Sequence, residues 1–341
     1  MARPNRQWVL ARRPQGDDLE SALELVAADT PAVSDGEVLV RNGYLSLDAG
    51  TRMWMGPRED GYQPPIPIGS PFTGIVVGVV LESEHPDYRE GDLVRTYGQW
   101  ADLSVVRPDD VPTERLTWRL DDLRQHLGVF GFNAWTAYAG VMDYGEAHPG
   151  ETFVVSAAAG ATGALAGQLA KRRGCRVIGI TGSDEKCRWI TEKLRFDAAI
   201  NYKRADVGDE LRSLCPGGVD LYFDNVGGPI LDAVLANMAL FGRVVVCGLI
   251  SIYDKDSPTA GPRNFDQVLM KRLKITGFFS PDFFHRGAEI NGILKPSYEA
   301  GELILPFEVG HGVENIMASF QQMLSGGNIG KAIVQLSEIQ P

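Results

Sequence analysis

The stretch T-F-V-V-S-A-A-A-G-A-T-G, residues 152–163, decides the fold of this chain. It opens with Thr152–Ser156, whose apolar centre is typical of a short strand buried on both faces. The small-residue turn Ala157–Gly163 follows directly, and the pattern after Leu165 predicts a helix. A strand, a tight turn and a helix in this order predict the first βα unit of a parallel sheet.

Strand-like and helical segments alternate from about residue 150 onward. The predicted strands are Thr152–Ser156, Arg176–Thr181, Ala198–Asn201, Val219–Asp224, Arg243–Gly248 and Leu273–Phe279. Helical segments fit between the principal strands, and each crossover helix must pack back onto the sheet. The second part of the chain is therefore predicted to be an α/β domain, with a doubly wound parallel sheet of the Rossmann type covered on both faces.

The first part of the chain has a different pattern, with short strand-like segments separated by Gly and Pro. These segments are Val38–Arg41, Gly74–Leu81, Leu93–Tyr97 and Ala101–Val106, and the proline-rich stretch Gly56–Gly69 between them is predicted to be a rigid loop. Near the C-terminus a strand at Ile304–Val309, an amphipathic helix from Val313 to Leu324 and a strand at Ala332–Leu336 interrupt the alternation. We expect this tail to return to the first, β-rich domain.

The chain length predicts more than one domain, because 341 residues exceed what one hydrophobic core usually organises. We expect a substrate domain made of residues 1–128 and 301–341, and a dinucleotide-binding domain made of residues 129–300.

Charge and hydropathy exclude two classes of partner. The formal net charge is -11 and there is no long Lys/Arg run, which argues against nucleic-acid binding. The apolar stretch Ile75–Leu81 is too short to span a bilayer, and the start of the chain lacks a signal-peptide core. The four cysteines form no C-x-x-C pair, so reduced thiols and a cytoplasmic location are expected.

The turn after the first predicted strand has the chemistry of a phosphate site. Gly160, Ala161, Thr162 and Gly163 place small residues and free backbone N–H groups at the start of a helix, where a pyrophosphate can approach. Ala158 stands where the first glycine of G-x-G-x-x-G is usual. A purely structural tight turn is the alternative interpretation.

The end of the second predicted strand distinguishes NADPH from NADH. NAD sites usually carry an acid there that binds the ribose 2'-hydroxyl, but this chain has Gly182 and Ser183. Ser183 can cap the next helix, whose first-turn acids Asp184 and Glu185 suit the helix dipole. Lys186 can then reach a 2'-phosphate, although a solvated helix face is the alternative. The pattern favours NADPH.

No metal site is expected. Dehydrogenases of this architecture often hold zinc with Cys and His ligands, but the chain has no cysteine before Cys175 and its five histidines are scattered. Gly69-Ser70-Pro71 stands where Gly-His-Glu would supply a ligand. Reduction of a carbon-carbon double bond conjugated to a carbonyl requires only a hydride, hydrogen bonds to the enolate and a proton donor.

Several strings resemble one family closely and in order along essentially the whole chain. They are Leu45-Ser46-Leu47-Asp48, the phosphate loop, Gly182–Lys186 (G-S-D-E-K), Phe223–Gly228 (F-D-N-V-G-G), Cys247–Tyr253 (C-G-L-I-S-I-Y) and Gly327–Lys331 (G-N-I-G-K). The chain is similar to the prostaglandin reductase and alkenal double-bond reductase family, which includes leukotriene B4 12-hydroxydehydrogenase-like proteins, within the zinc-free medium-chain dehydrogenase/reductases. This resemblance implies a Rossmann NADP-binding domain, a GroES-like β-rich substrate domain, and a homodimer paired through an edge of the parallel sheet.

The resemblance also implies roles for individual residues. Lys186 and Tyr202 would contact the 2'-phosphate, and Asn225 would lie along the cofactor. The residues implied to line or reach the nicotinamide are Cys247, Gly248, Ile250, Ser251, Tyr253, Phe278, Phe279, Ser280 and Asn328. Tyr253 is the implied catalytic residue, assisting enolate stabilisation or protonation, with a solvated loop tyrosine as the alternative.

The implied activity is NADPH-dependent reduction of the double bond of α,β-unsaturated ketones or aldehydes. A quinone reductase and a non-catalytic NADPH-binding sensor or scaffold are the alternatives. The chain departs from the family at Ala49-Gly50-Thr51-Arg52, where Pro-Tyr-Met-Arg is common, so a tyrosine that often borders the substrate pocket is absent. The physiological substrate therefore does not follow from the resemblance.

Overall fold

A computed structural model describes residues 3–16, 18–59, 63–118, 120–254 and 259–339. The strands are β1 Pro4–Leu10, β2 Leu23–Asp29, β3 Val38–Ser46, β4 Thr73–Ser83, β5 Leu93–Gln99, β6 Leu103–Val106, β7 Thr113–Arg115, β8 Thr152–Ser156, β9 Arg176–Thr181, β10 Ala198–Asn201, β11 Val219–Asp224, β12 Met238–Val246, β13 Lys274–Gly277, β14 Phe307–His311 and β15 Lys331–Gln335. The α-helices are α1 Thr51–Trp54, α2 Phe132–Tyr138, α3 Ala161–Arg172, α4 Asp184–Glu192, α5 Val207–Leu214, α6 Gly228–Asn237, α7 Gln267–Met270, α8 Gly287–Glu299 and α9 Ile316–Leu324. Among these described residues, no helix has the length and hydropathy needed to cross a membrane.

The chain divides into two compact units. The first comprises Met1–Leu127, Asp254–Ser257 and Phe307–Pro341, and the second comprises Gly128–Tyr253 and Pro258–Pro306. The first unit is β-rich and the second has alternating strands and helices. The predicted fold class, a Rossmann-type sheet with a separate β-rich domain, is confirmed.

The first unit is built on a mostly antiparallel sheet with strand order β14-β15-β3-β4-β5-β7, and β6 also pairs with β3. β15 runs antiparallel to β3, with Ile333 opposite Ser46, so the C-terminal tail completes the sheet. The stripe predicted on the last helix lies in the core, where Ile316 and Phe320 are fully buried and the Phe320 ring packs on Trp100. These contacts hold the tail to this unit.

A buried ion pair joins two of the sequence strings within the first unit. Lys331 is 1 % exposed, and its Nζ donates to the carbonyl of Leu47 at 2.8 Å and to Asp48 Oδ1 at 2.7 Å. Ser46 Oγ donates to the other oxygen of the same carboxylate. A lysine is rarely buried this deeply without a charged partner, so the pair fixes the start of β15 against the end of β3.

The second unit is built on a six-stranded parallel sheet with strand order β10-β9-β8-β11-β12-β13. Its central strands are buried on both faces, as their apolar runs predict: Phe153, Val154 and Val155 of β8 are all fully buried. The chain order reverses between β8 and β11, which form neighbouring strands at the centre of the sheet. This reversal is the place where such sheets bind ligands, outside the carboxyl ends of the strands.

The bounds of β8, β9, β10 and β11 are those predicted from the sequence, while other elements differ. β12 begins at Met238 and ends at Val246, so the predicted strand Arg243–Gly248 starts too late, and its last residues, Cys247 and Gly248, lie in the loop after β12. The sequence did not predict β1 and β2, because their alternation of apolar and polar residues is irregular. It also did not place α2, which continues into a π-helical turn at Ala139–Tyr144.

Candidate cofactor-binding site

The predicted site residues of the second unit lie in the loops that follow the parallel strands and in the first turns of α3 and α4. These loops come after β8, β9, β10, β11, β12 and β13. Because neighbouring strands run parallel, their carboxyl ends share one edge of the sheet, on either side of the chain reversal. The sequence positions therefore converge on the edge where a dinucleotide binds in this type of fold.

The phosphate loop joins β8 to α3 through a turn with little room for side chains. Gly160 precedes the first residue of α3, and no side chain caps this end of the helix. A Cβ added at Gly163 would overlap with the backbone carbonyl of Ala157 and lie 2.9 Å from its carbon. Gly163 thus allows the close turn, and the N–H groups of Ala161, Thr162 and Gly163 in the first turn have no acceptor within the helix. The geometry fits a pyrophosphate.

Lys186 and Lys203 form a basic pair beside the loop that follows β9. Burial and the nearby ammonium group of Lys203 lower the pKa of Lys186, and Glu185 opposes the shift. A Cβ at Gly182 would lie 3.2 Å from the Tyr202 hydroxyl and 3.4 Å from Lys203 Cε, so both side chains cover this glycine. Two like charges this close repel each other, and an anion bound between them relieves that repulsion.

Of the two acids that follow Ser183, Asp184 is directed away from this pair. Ser183 caps α4 as predicted, with its Oγ accepting from the Lys186 N–H at 3.2 Å. The carboxylate of Asp184 binds Asn201 Nδ2 at 2.6 Å and forms an ion pair with Arg204. The sequence interpretation missed Lys203, although its place directly after Tyr202, beyond a predicted strand end, is a signal that could have identified it.

Asn225 lies at the sheet edge but is directed toward the phosphate loop. Its backbone N–H donates to Ser156 Oγ at 2.9 Å, and its Nδ2 donates to the Ser156 carbonyl at 2.7 Å. The side chain therefore ties the loop after β11 to the end of β8. Its backbone borders Gly248, where an added Cβ would lie 3.4 Å from the Asn225 carbonyl oxygen.

The loop after β12 folds over the loop after β11. Ile250 N–H donates to the Asn225 carbonyl at 3.3 Å, and the Ser251 hydroxyl donates to the Val226 carbonyl at 2.6 Å. Desolvation raises the pKa of the Cys247 thiol to about 12, so this thiol is protonated at neutral pH. The two loops form one hydrogen-bonded surface at the reversal of the chain order.

Tyr253 follows the 3-10 turn Ile250–Ile252 in this loop, with its hydroxyl over Gly248. The Leu249 N–H donates to Tyr253 Oη at 3.1 Å, and a Cβ at Gly248 would lie 2.9 Å from the same oxygen. A phenol that accepts such a bond uses a lone pair of its oxygen rather than its proton. Tyr253 Oη thus accepts a backbone hydrogen bond within the loop after β12.

Phe278 belongs to an aromatic cluster of the second unit. Its ring stacks on Tyr144 with centroids 4.9 Å apart and on Phe283 at 6.0 Å. Phe279 precedes the 3-10 turn that Ser280 begins, and its carbonyl accepts from the Asp282 N–H at 3.1 Å. The Phe278 ring packs against these aromatic side chains, while Phe279 and Ser280 are half-buried at the start of the turn.

Asn328 belongs to the first unit. It is 8 % exposed, and its Nδ2 donates to the Gly330 carbonyl at 2.9 Å, within the segment that leads to Lys331. Across the described ranges of the chain, no three His, Cys, Asp or Glu side chains are grouped in a way that could hold a metal ion.

The fold and the site define a dinucleotide-binding oxidoreductase. Residues 6–113 match the family described as "N-terminal domain of oxidoreductase", and residues 161–292 match the family described as "Zinc-binding dehydrogenase". The chain is 38 % identical to the NADPH-dependent curcumin reductase of Escherichia coli over 98 % of this chain and 97 % of the relative. It is also 38 % identical to the NADP(+)-dependent 2-alkenal reductase of Nicotiana tabacum over 98 % of each.

A solved structure shows the same fold. The crystal structure of CurA from Vibrio vulnificus in complex with NADPH superposes with a TM-score of 0.91 at 36 % identity, covering 98 % of this chain and 100 % of that one. The chain belongs to the zinc-free medium-chain dehydrogenase/reductases, in the group of alkenal and enone reductases. The family predicted from the sequence strings is thereby confirmed.

Proposed function

We propose that this protein is an NADPH-dependent reductase of the carbon-carbon double bond of α,β-unsaturated aldehydes and ketones. The observation that carries the cofactor choice is the basic pair Lys186 and Lys203, with Lys203 beside Gly182, at the strand end where an acid would select NADH. Relatives similar over nearly their whole length are named as an NADPH-dependent curcumin reductase and an NADP(+)-dependent 2-alkenal reductase. Both names agree with the proposed cofactor, and the second names an alkenal substrate.

In the proposed binding mode each loop holds one part of the cofactor. Gly160, Ala161, Thr162 and Gly163 bind the pyrophosphate with backbone N–H groups, while Lys186, Lys203 and Tyr202 bind the 2'-phosphate beside Gly182 and Ser183. The remaining proposed contacts toward the nicotinamide are Asn225, Cys247, Gly248, Ile250, Ser251, Tyr253, Phe278, Phe279, Ser280 and Asn328.

The bound cofactor supplies a hydride from nicotinamide C4, which adds to the β-carbon of the substrate. The electron pair of the double bond moves to the α-carbon and carbonyl, and the Tyr253 hydroxyl donates a hydrogen bond to that oxygen. A proton then reaches the α-carbon from Tyr253 or from water. One hydride and one proton are consumed, and the carbonyl group is regenerated.

The experiment that tests this proposal follows NADPH consumption with a panel of alkenals, enones and quinones. We expect turnover with alkenals and enones and a strong preference for NADPH over NADH. Turnover with quinones alone would replace the proposed reaction with quinone reduction. Stable NADPH binding without consumption across the panel would indicate a binding protein instead.

We also propose that two copies pair through β13, the last strand of the parallel sheet. Within the described part of the chain β13 pairs only with β12, and its residue Ile275 is 39 % exposed. Leu269 and Met270 of the adjoining α7 are exposed as well. An open edge beside exposed apolar side chains favours a symmetric dimer. Ile275→Lys should convert a dimer into a monomer in light scattering, while a monomeric wild-type protein would refute the pairing.

We also propose a division into two domains and a cellular location. Residues 1–128 and 301–341 form the substrate domain, and residues 129–300 form the NADPH-binding domain. The protein acts in the cytoplasm, where NADPH is available and thiols are kept reduced.

A further inference from the structure

Asp224, the last residue of β11, is a buried carboxyl group at the edge of the sheet where the cofactor loops meet. It is 0 % exposed, so it does not touch a ligand itself. Its Oδ1 accepts four hydrogen bonds, from Tyr222 Oη at 2.7 Å, from the N–H groups of Val226 and Gly227 at 2.9 Å each, and from Ser156 Oγ at 3.1 Å. Four donors directed at one oxygen require an acceptor rich in negative charge.

The bonds around Asp224 connect three cofactor loops. Ser156 Oγ donates its proton to Asp224 and accepts from the Asn225 N–H at 2.9 Å, so it links the end of β8 to the loop after β11. The backbone carbonyl of Asp224 accepts from the N–H groups of Cys247 at 2.8 Å and Gly248 at 3.0 Å, which begin the loop after β12. Asp224 is therefore hydrogen-bonded to the end of β8 and to the loops after β11 and β12.

The loop that Asp224 holds has a conformation that needs support. Gly227 and Gly228 both have positive φ, of 70° and 54°. The N–H groups of Val226 and Gly227 fix this part of the loop through their hydrogen bonds to the Asp224 carboxylate. A loop of this kind would sample many conformations if its anchor were removed, and ordering it again on binding would weaken affinity.

We propose that Asp224 is a positioning residue that preorganises the NADPH groove through Ser156 and the loop Asn225–Gly228, without contact with the cofactor. This inference rests on the proposed placement of NADPH at the loops after β8 and β11. Burial raises the pKa of Asp224, and the N–H donors of Gly227 and Val226 lower it in part. The second oxygen, Oδ2, has no hydrogen-bond partner among the described residues, so the hydrogen bonds of this carboxyl group are all made by Oδ1.

The test compares Asp224→Asn with Asp220→Asn on the same strand. Asp220 Oδ2 also accepts a backbone N–H from β8, that of Thr152 at 2.8 Å, but at the opposite end of both strands. Asp224→Asn should raise the Kd for NADPH about 10- to 100-fold, because it weakens several charge-assisted hydrogen bonds to the groove. At saturating NADPH its kcat should stay within about threefold of wild type, since the residue does not touch the reacting atoms. Asp220→Asn should leave the Kd unchanged.

The expected loss of nucleotide affinity in Asp224→Asn differs from the loss expected for a Lys186 variant. Asp224→Asn should weaken NADPH and NADH by the same factor, because the loops it holds are used by both cofactors. Equal Kd values for Asp224→Asn and Asp220→Asn would overturn the inference, as would a fall in kcat with an unchanged Kd. Ser156→Ala provides the second variant if Asp224→Asn does not fold, and it should also raise both Kd values. Because the measured quantity is nucleotide affinity, this test can refute the role of Asp224 while the proposed reduction of alkenals still holds.

Discussion

At the scale of single residues, we propose that cofactor choice depends on charge at Lys186 and Lys203. Burial and the nearby ammonium group of Lys203 lower the pKa of Lys186, and a phosphate bound beside the two lysines would offset both effects. Lys186→Ala or Lys203→Ala should raise the KM for NADPH by about tenfold or more, the value of one lost charge-assisted hydrogen bond. The KM for NADH should change little. Steady-state kinetics with both cofactors measure the effect, and equal changes for NADPH and NADH would refute the assignment.

The proton donor is tested at Tyr253. Tyr253→Phe removes the hydroxyl that lies over Gly248 and keeps the ring. If this hydroxyl stabilises the enolate oxygen or donates the proton, kcat should fall on the order of 100-fold, as for a lost general acid. The Kd for NADPH should stay the same in fluorescence titration. An unchanged kcat would assign proton donation to water.

Sequence reasoning at this scale succeeded for residues whose role follows from local geometry. Ser183 was predicted to cap the helix after the second strand and does so, because capping depends on only the next three residues. Lys203 was missed, because its closeness to Lys186 is a tertiary contact between the first turn of α4 and the segment after β10, which no local pattern specifies. The same is true of the Asp224 network, whose donors come from β8, β11 and the loop after β11.

At the scale of elements, the turn between β8 and α3 depends on the absence of a side chain at Gly163. A Cβ there would overlap with the Ala157 carbonyl. Gly163→Ala should therefore open the turn, lower the melting temperature and raise the Kd for NADPH by about tenfold or more, because the helix N–H groups lose their alignment.

The matched control for Gly163 is Gly217→Ala, since a Cβ at Gly217 meets no atom within 4 Å. That variant should leave both the melting temperature and the Kd near wild type, as measured by calorimetry and fluorescence titration. A Gly163→Ala protein that binds NADPH as tightly as the control would show that the turn does not hold the pyrophosphate.

The strands of the second unit were predicted more accurately than those of the first. β8, β9 and β11 consist of short, mostly apolar runs that are largely buried, and such runs have sharp ends in the sequence. β1 and β2 form a separate two-stranded sheet with mixed burial, so their residues lack a clear period. The π-helical turn at Ala139–Tyr144 contains Gly140, where an added Cβ would overlap with the Phe223 ring, and no local pattern indicates this contact.

At the scale of the whole molecule, stability should depend on pH through His126. This residue is 3 % exposed, and burial together with the positive charge of Arg95 lowers its pKa from 6.5 to about 4. The unfolded chain therefore binds this proton more readily than the folded chain. The contribution of His126 to the free energy of unfolding is fully present above about pH 6.5. It decreases as the pH falls toward 4, by about 3 kcal/mol in total.

Urea unfolding at about pH 7.5 and about pH 5 tests this dependence, since about 2 kcal/mol should be lost between the two conditions at His126. His126→Gln cannot take up the proton and should show a smaller decrease in the unfolding midpoint than wild type. His311→Gln, at an exposed position of the same unit, is the control and should behave like wild type. Identical decreases in all three proteins would assign the acid sensitivity to other groups.

The central claim for the molecule is hydride transfer from NADPH to the β-carbon of an unsaturated carbonyl compound. The most direct measurement uses NADPH deuterated at nicotinamide C4 with a simple enone, followed by mass spectrometry and NMR of the product. We predict a saturated ketone that carries the deuterium at the β-carbon. Deuterium at the carbinol carbon of an allylic alcohol, or recovery of unchanged enone with intact NADPH, would contradict the account.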